Sequence, residues 1–388
     1  MKRLLTALAF AVFSTAARAQ LPALEGTVNL FTETPAAMAD FLRENGVGQV
    51  FALDGVDPLN LPELSVRQWH DGGRMVYSGS PEYCPGPGLL YADAFAAGTP
   101  VRLYVYHVNA SPRPLRFSVV LEPVGGPARI AVDDGLVIGP SRNYFYVGRL
   151  GAFIQLGRPT PPEPRLLDVT GPTLLDADLD GRVVMSGKPE PLIHSLHDFR
   201  VLEGQVRVSV VAAEAERPTL DQFPSLTLLG RDTNHDRGTY AFTNTHIAMD
   251  RPYRTTDGVV HLRIADGKRD PFAEGMDVTT ERPGRYRGNY GVIYRARLKL
   301  ESPDGRKVAL VLNPRGGGVG GAVASWAPKR GRQAHYAPAL SLGPIRDKND
   351  ATILARWDPR ATPEVDVVWT PPGSASLPVE WLLIPYGE

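Results

Sequence analysis

The fold class is decided by a stretch that reads Val101-Arg102-Leu103-Tyr104-Val105-Tyr106-His107-Val108. Side chains of similar character recur at every second position, which is the periodicity of a β-strand. Comparable short runs are spread along the chain, with Gly, Pro and Asp between them, and this spacing is typical of antiparallel β-sandwiches. The further runs are Leu115 to Leu121, Gln205 to Val211, Val259 to Ile264, Val292 to Leu300, Lys307 to Leu312 and Val365 to Trp369.

One segment near the N-terminus predicts a helix. Ala36 to Glu44 carries its large apolar residues on one side, and Asn45-Gly46 is a suitable stop. Thr34 is the expected N-cap, with Pro35 in the first turn. The apolar stretch Val47 to Leu53 that follows predicts a strand.

These patterns predict a mainly β protein with two antiparallel β-sandwich domains, Ig-like or jelly-roll-like, and a small N-terminal α/β segment. The first sandwich is expected at residues 69–216 and the second at 224–388, after an N-terminal segment with one helix at 20–68. The Pro-rich run Arg158 to Pro164 is interpreted as a connection inside the first sandwich.

The first 19 residues predict a secretory signal peptide. Met1-Lys2-Arg3 is a positive n-region, Leu4 to Ala16 is apolar, and Ala17-Arg18-Ala19 fits the small-x-small cleavage rule. We therefore expect an exported protein that is periplasmic, extracellular or at the cell surface. The mature chain is expected to begin at Gln20. No later run reaches the length of a membrane helix, so no membrane span is expected after cleavage.

The charge balance argues against nucleic acid as a partner. The chain has 42 basic and 42 acidic side chains, and removal of the three basic residues of the signal leaves a formal charge of −3. Binding to nucleic acid depends on a positive field, which this composition does not supply.

Cys84 is the one cysteine of the chain, so no intramolecular disulfide forms. A nucleophile or an intermolecular disulfide would be functional roles for this thiol. The simpler interpretation, which we favour, is a small side chain that fills a gap in the packing.

An acidic motif suggests a calcium site. Asp176, Asp178 and Asp180 alternate and are followed by Gly181, as in the first half of a calcium loop. The twelfth position is Gly187, however, so the bidentate Glu is missing, and an acidic β-turn is the alternative. Calcium is the only cofactor that the sequence suggests.

Two further polar clusters have side chains that could bind a metal ion. Asp232, Asn234 and Asp236 form a second acidic loop with the same spacing, although Gly238 falls one place late, and an Asx-rich turn is the alternative. His194 and His197 offer two imidazoles, but residues i and i+3 of a strand point to opposite faces, which disfavours a shared metal.

Motifs for a catalytic nucleophile are absent from the sequence, including Gly-x-Ser-x-Gly, His-Glu-x-x-His and Walker A. The glycine-rich stretch Leu312 to Gly321 has amides that suit an anion, but a hairpin or bulged connection is the better interpretation. Paired carboxylates of a glycan-acting enzyme depend on three-dimensional distance and stay open.

Exposed aromatic rings are the remaining candidates for ligand binding, because they stack on sugars. Trp326 and Trp357 border Pro and charged residues and are expected at the surface, and Tyr290 lies in the Tyr-rich stretch 286–294. Trp369 and Trp381 lie in apolar strands and are expected in the core.

Several motifs resemble those of uncharacterised exported bacterial envelope proteins. They are Ser78 to Glu82, Gly88 to Tyr91, Arg102 to Asn109, Gly288 to Tyr294 and Leu312 to Gly317. Some of these proteins carry a copper-amine-oxidase-like N-terminal (stalk) module, which is absent from this sequence. The resemblance implies an exported all-β protein and implies neither an activity nor copper.

The sequence favours a non-catalytic envelope-associated protein that binds a cell-surface or extracellular polysaccharide, or another envelope component such as a protein. A hydrolase or lyase that acts on extracellular glycans through loop carboxylates is the first alternative. A calcium-dependent adhesion or binding module is the second.

Overall fold

The computed structural model describes residues 33–157, 163–231, 236–315, 317–319, 323–326, 335–337 and 349–387, with backbone alone at Ser80, 323–326 and 335–337. The predicted signal peptide lies outside these residues. The helices are α1 (Ala36–Glu44), α2 (Tyr144–Gly157), α3 (Ala177–Gly181) and α4 (Thr219–Gln222), with 3₁₀ turns at Phe223–Ser225 and Thr255–Asp257.

Strands dominate the structure. Those in the first half of the chain are β1 (Val50–Ala52), β2 (Val66–Asp71), β3 (Arg74–Cys84), β4 (Gly88–Ala96), β5 (Pro100–Asn109), β6 (Leu115–Pro123), β7 (Ala128–Ser141), β8 (Arg165–Val169), β9 (Thr173–Leu174), β10 (Val183–Val184), β11 (Leu192–Glu203) and β12 (Gln205–Glu214).

The strands that follow α4 complete the set. They are β13 (Asp236–Tyr240), β14 (Asn244–Met249), β15 (Tyr253–Arg254), β16 (Val260–Ile264), β17 (Ala273–Asp277), β18 (Arg282–Tyr286), β19 (Ile293–Glu301), β20 (Lys307–Asn313), β21 (Val323–Trp326), β22 (His335–Ala337), β23 (Asp350–Trp357), β24 (Glu364–Trp369) and β25 (Val379–Tyr386). The expectation of a mainly β protein is confirmed.

The strands form four sheets. Sheet 1 has the order β10-β6-β12-β4 with β9 beside β6, and sheet 2 has the order β18-β17-β13-β3-β5-β11-β7-β8. Sheet 3 has the order β2-β14-β19-β24-β21-β22 with β15 beside β19, and sheet 4 has the order β1-β23-β20-β25-β16. Most pairs are antiparallel, and β3–β5, β14–β19 and β15–β19 are parallel.

Sheet 2 lies between two hydrophobic cores. Leu103 and Val105 of β5 belong to a first core, shared with sheet 1 residues such as Phe117. Tyr104 and Tyr106 belong to a second core, shared with α2 and with sheets 3 and 4. The alternating pattern that predicted β5 therefore corresponds to two buried apolar faces. It does not distinguish a buried face from a solvent-exposed one.

Sheet 2 also crosses the boundary predicted between residues 216 and 224. Its strands β3, β5 and β11 precede that boundary, whereas β13, β17 and β18 follow it, and β13 pairs directly with β3. The described residues form one compact unit by their contacts. Strands from both sides of the predicted boundary thus share one hydrogen-bonded sheet.

The N-terminal helix α1 covers the outer face of sheet 4. Met38 and Leu42 are buried there in a third core, and Phe41 stacks on Phe51 of β1 with ring centroids 5.0 Å apart. The predicted Thr34 cap is wrong, because the Thr34 hydroxyl donates to the carbonyl oxygen of Pro385 instead.

Helix α2 was not predicted. It lies close against the second core, since a Cβ on Gly148 would fall 1.9 Å from the carbonyl oxygen of Gly373 and one on Gly151 would fall 2.7 Å from His194 Nε2. The two glycines permit this close approach. No helix in the described part of the chain is long and apolar enough to span a bilayer.

Candidate functional site

An exposed tryptophan marks the outer face of sheet 3. Trp69 is 49% exposed, whereas Trp369 and Trp381 are buried in the second core, as expected. Strand β2 alternates between exposed and half-buried residues, which places Arg67, Trp69 and Asp71 together on the outer side of the sheet.

The neighbouring strands continue this outer face. His246 of β14 lies opposite Trp69 in the strand register, Asn244 lies opposite Asp71, and Arg295 of β19 lies beside His246. We call Trp69, Asp71, Asn244, His246 and Arg295 the Trp69 face.

The indole of Trp69 is held flat by a stacking contact. Its ring and the His246 imidazole have centroids 5.1 Å apart and planes only 8° from parallel. One face of the indole is therefore supported by the protein, while much of its surface stays open to solvent. A rigid, half-open aromatic ring of this kind is suited to stack against another flat or apolar surface.

Asp71 fixes the histidine under the indole. His246 Nε2 lies 2.9 Å from Asp71 Oδ2, and Asn244 Nδ2 donates to Asp71 Oδ1 at 2.9 Å. Partial burial alone would raise the pKa of Asp71, but hydrogen bonds from His246 and Asn244 outweigh this effect and lower it. The carboxylate is therefore ionised, and its two oxygens interact with Asn244 and His246.

Arg295 is the exposed cation of the Trp69 face. No carboxylate among the described residues lies within salt-bridge distance of it, whereas Arg297, two residues on, makes two hydrogen bonds to Asp366 at 2.9 and 3.2 Å. Desolvation and the nearby Arg102 guanidinium lower the pKa of Arg295. The site therefore holds one positive charge without a close counter-ion among these residues.

The three aromatic residues that were predicted to bind a ligand differ in their surroundings. Tyr290 is half-buried and packed against the second core, and its hydroxyl donates to the carbonyl oxygen of Ala375. Trp326 ends β21, and its side chain lies outside the described residues.

Trp357 is half-buried and lines a surface cavity of about 390 Å³. The ring packs against the second core, and the cavity walls include Lys307, Arg356 and Tyr386. The Arg356 guanidinium is already committed, because its Nη1 donates to the carbonyl oxygens of Leu42 and Asn45. Trp357 is thus less exposed than Trp69 and lies in a cavity with both basic and acidic walls.

The calcium-like motif does not form a calcium loop, because its three carboxylates point to separate partners. Asp176 caps α3 by accepting from the backbone N–H groups of Asp178 and Leu179. Asp178 pairs with Arg182, while Asp180 accepts from two hydroxyl groups in the protein interior. The acidic residues belong to a short helix, which corrects the β-turn alternative, and calcium binding by this motif stays a prediction.

One of the three residues of the second acidic loop lies among the described residues. Asp232 and Asn234 lie outside the described residues. Asp236 opens β13, and one of its oxygens accepts from Arg231 at 3.3 Å. Across the part of the chain that the structure describes, no group of three or more His, Cys, Asp or Glu side chains is arranged to hold a metal ion.

His194 and His197 point to opposite faces of β11, as their spacing predicted. The His194 ring lies 4.5 Å from the Tyr104 ring in the second core, and its Nδ1 lies 2.9 Å from the carbonyl oxygen of Val105. His197 Nε2 lies 3.7 Å from Asp176 Oδ2 on the other side of the sheet. The two imidazoles therefore do not share a ligand.

A buried polar network has the composition of a catalytic triad. Ser78 Oγ lies 2.8 Å from His107 Nε2, and His107 Nδ1 lies 3.7 Å from Glu82, which forms a two-point ion pair with Arg237. The side chains of these four residues are at most 2% exposed. A substrate would have to open the first core to reach Ser78, so the network is structural.

The sequence alone did not single out Trp69 as a site residue. The available signal was the period-two pattern of Val66 to Asp71, which places the tryptophan on the same side as two charged residues. Comparison with known proteins adds no assignment, since no protein-family model matches this chain and no curated protein is significantly similar to it.

Proposed function

We propose that this protein is an exported, non-catalytic, envelope-associated protein that binds a polysaccharide through the Trp69 face. The observation that supports this function best is the open indole of Trp69, which is stacked on His246 and surrounded by polar side chains. An apolar ring face binds the C–H face of a sugar, and polar groups around it bind the hydroxyls.

The flatness of the Trp69 face favours a polymer over a small molecule. Its residues come from three adjacent strands, and strands in a sheet are about 4.8 Å apart, so the face extends across roughly 10 Å of an open surface. Small ligands are generally bound in concave pockets that enclose most of their surface. A polysaccharide chain instead makes contact along one side.

The architecture that we propose for this function is a pair of β-sandwiches with one sheet in common. Sheets 1 and 2 enclose the first core, and sheets 3 and 4 enclose much of the second core, which also rests on sheet 2. Export through the N-terminal segment would bring the Trp69 face to envelope polysaccharides.

The test is binding of the mature chain from Gln20 to glycan arrays and to polysaccharides extracted from the bacterial envelope. We expect retention by at least one polysaccharide, and we expect Trp69→Ala to weaken it by about tenfold or more, since truncated contact aromatics cost more than about 1 kcal/mol. Tyr146→Ala is the matched control, because Tyr146 is also exposed, at 48%, but lies on α2.

Trp357→Ala tests the alternative aromatic site. Unchanged binding by Trp69→Ala together with loss in Trp357→Ala would move the function to the cavity at Trp357. Absence of binding by the folded wild-type protein to every envelope polysaccharide would refute the proposal. Release of new reducing ends during the incubation would refute its non-catalytic part.

A further inference from the structure

We propose that Arg295 makes the Trp69 face selective for polysaccharides that carry carboxylate groups. This inference rests on the proposed function and adds the chemical class of the ligand. It depends on a different observation from the Trp69 stack, namely the Arg295 guanidinium, which has no ion-pair partner among the described residues.

The charge of Arg295 lies within reach of a sugar ring that stacks on the Trp69 indole. Trp69, His246 and Arg295 occupy matching register positions on three neighbouring strands. The backbone of Arg295 is therefore about 10 Å from that of Trp69, and the long arginine side chain reaches part of that distance. A sugar ring stacked on Trp69 has its substituents in this region.

The carboxylates around Arg295 are committed to other groups. Asp71 is held by His246 and Asn244, and Asp366 is held by Arg297. On the inner side of the sheet Arg102 adds a second positive charge, although Asp198 balances it through two hydrogen bonds of 2.7 and 2.8 Å.

The Arg295 guanidinium itself makes no hydrogen bond or ion pair with the described residues, although the charges of Asp71 and Asp366 act on it from a distance. Its N–H donors are therefore available to a ligand. A bound anion would supply the close counter-ion that these residues do not provide. Binding energy is thus available to an anionic ligand that a neutral ligand does not obtain.

The guanidinium favours a carboxylate as this anion. Its planar fork of N–H donors matches the two oxygens of a carboxylate in a bidentate contact. In an acidic polysaccharide the carboxylate lies at the edge of a sugar ring, so one sugar unit presents both a stacking face and a charged edge. The Trp69 face offers the complementary pair, an indole and an arginine.

The experiment compares polygalacturonate with highly methyl-esterified pectin, because the two polymers share a backbone and differ in free carboxylate. We expect the wild-type protein to bind polygalacturonate about tenfold more tightly at low salt. Arg295→Gln should remove this preference, so that the variant binds the two polymers with similar affinity. Raising the salt to about 0.5 M should reduce the preference, since exposed charges are then screened.

Arg200→Gln is the matched control. It removes the same charge from sheet 2, where Arg200 pairs with Asp133 in an exposed ion pair, and it should keep the full preference for polygalacturonate. Trp69→Ala should weaken binding to both polymers. Circular dichroism at neutral pH checks that each variant is folded.

The two proposals fail in different ways. Equal binding of both polymers by the wild-type protein, or a preference that survives in Arg295→Gln, would overturn the role of Arg295 and leave glycan binding at Trp69 intact. Tighter binding to dextran sulfate than to polygalacturonate would overturn the assignment to carboxylates. If the wild-type protein binds none of these polymers and no envelope polysaccharide, both proposals are overturned.

Discussion

Glu82 and Arg237 form a two-point ion pair in the protein interior, although 155 residues of sequence separate them. Both hydrogen bonds measure 2.7 Å, and the two side chains are 2% and 1% exposed. The pair connects β3 with β13, which lie on opposite sides of the predicted domain boundary. It therefore ties the two halves of sheet 2 together.

Removal of one partner of this pair should destabilise the protein strongly. We expect Glu82→Gln to lower the free energy of unfolding by about 3–5 kcal/mol, because the buried Arg237 charge loses its counter-ion. Urea denaturation measures this change. Asp133→Asn is the control, since its exposed pair with Arg200 should contribute at most about 1 kcal/mol. Similar losses in the two variants would contradict a special role for the buried pair.

Asp180 should matter more for stability than Asp178, although both belong to the acidic motif. Asp180 accepts from the hydroxyl groups of Ser118 and Thr219, which are both buried, whereas Asp178 is exposed and pairs with Arg182. We expect Asp180→Ala to lower the free energy of unfolding by about 1–3 kcal/mol. Asp178→Ala should cost less than about 1 kcal/mol. The reverse order in thermal or urea melts would be inconsistent with these contacts.

Calcium should leave the stability of the protein unchanged. The carboxylates of Asp176, Asp178 and Asp180 are committed to separate partners, so a cation would have to displace a helix cap, an ion pair and two hydroxyl groups. Thermal melts with excess calcium and with a chelator measure this. A site filled at 100 times its dissociation constant would add about 2.7 kcal/mol, so a rise of that size would support the calcium prediction.

His194 should make the protein less stable in mild acid. Burial lowers the pKa of His194 to about 4, against about 6.5 in an unfolded chain. Between these values the unfolded chain binds a proton that the folded protein does not bind. The contribution to stability is therefore complete above about pH 6.5 and is lost as the pH falls towards 4, up to about 3 kcal/mol.

Urea denaturation between pH 7 and pH 4 tests this dependence. His194→Gln lacks the titrating group, and we expect its stability to fall less over this range than that of the wild-type protein, even if it starts lower. Burial also lowers the pKa of His197, so some dependence should remain in the variant. Parallel pH profiles for the two proteins would exclude His194 as a cause.

Cys84 should be unreactive in the folded protein. The residue is fully buried in the first core, and its thiol donates to the carbonyl oxygen of Gly86 at 3.1 Å. Burial raises the pKa of the thiol to about 12, so almost no thiolate is present at neutral pH. Iodoacetamide should label the protein only in denaturing urea. Rapid labelling, or a disulfide-linked dimer of the native protein, would contradict this gap-filling role.

Period two in the sequence was enough to locate several of the long strands, because alternation is a local property of the chain. The run Val101 to Val108, for example, lies wholly within β5. Which surfaces cover the two faces of β5 depends on pairing with distant strands, and no local pattern contains that information. Leu103 and Tyr104 are both apolar enough for a core, so the sequence did not show that both faces are buried.

Helix α2 was missed for a different reason. Residues Tyr144 to Gly157 are rich in aromatic residues and glycine, which disfavour an isolated helix. Tertiary packing determines the helical conformation here, because Gly148 and Gly151 let the helix approach Gly373 and His194 closely. Local propensity was overruled by tertiary contacts that the sequence does not display.

Only the type of residue at the candidate site could be predicted from the sequence. An exposed aromatic residue was expected, but the choice among five tryptophans depended on which strands lie at a free surface. Trp69 lies on β2, an edge strand of sheet 3. His246 and Arg295 join it only through strand pairing with β14 and β19.

Sheet 2 has a consequence for the evolution of the chain. If the protein were divided after Glu214, β3 would lose β13 as its partner and expose an unpaired edge, which is a template for aggregation. The tyrosines of β5 in the second core would also face water. A gene duplication or fusion that separated the two halves would therefore leave sheet 2 incomplete.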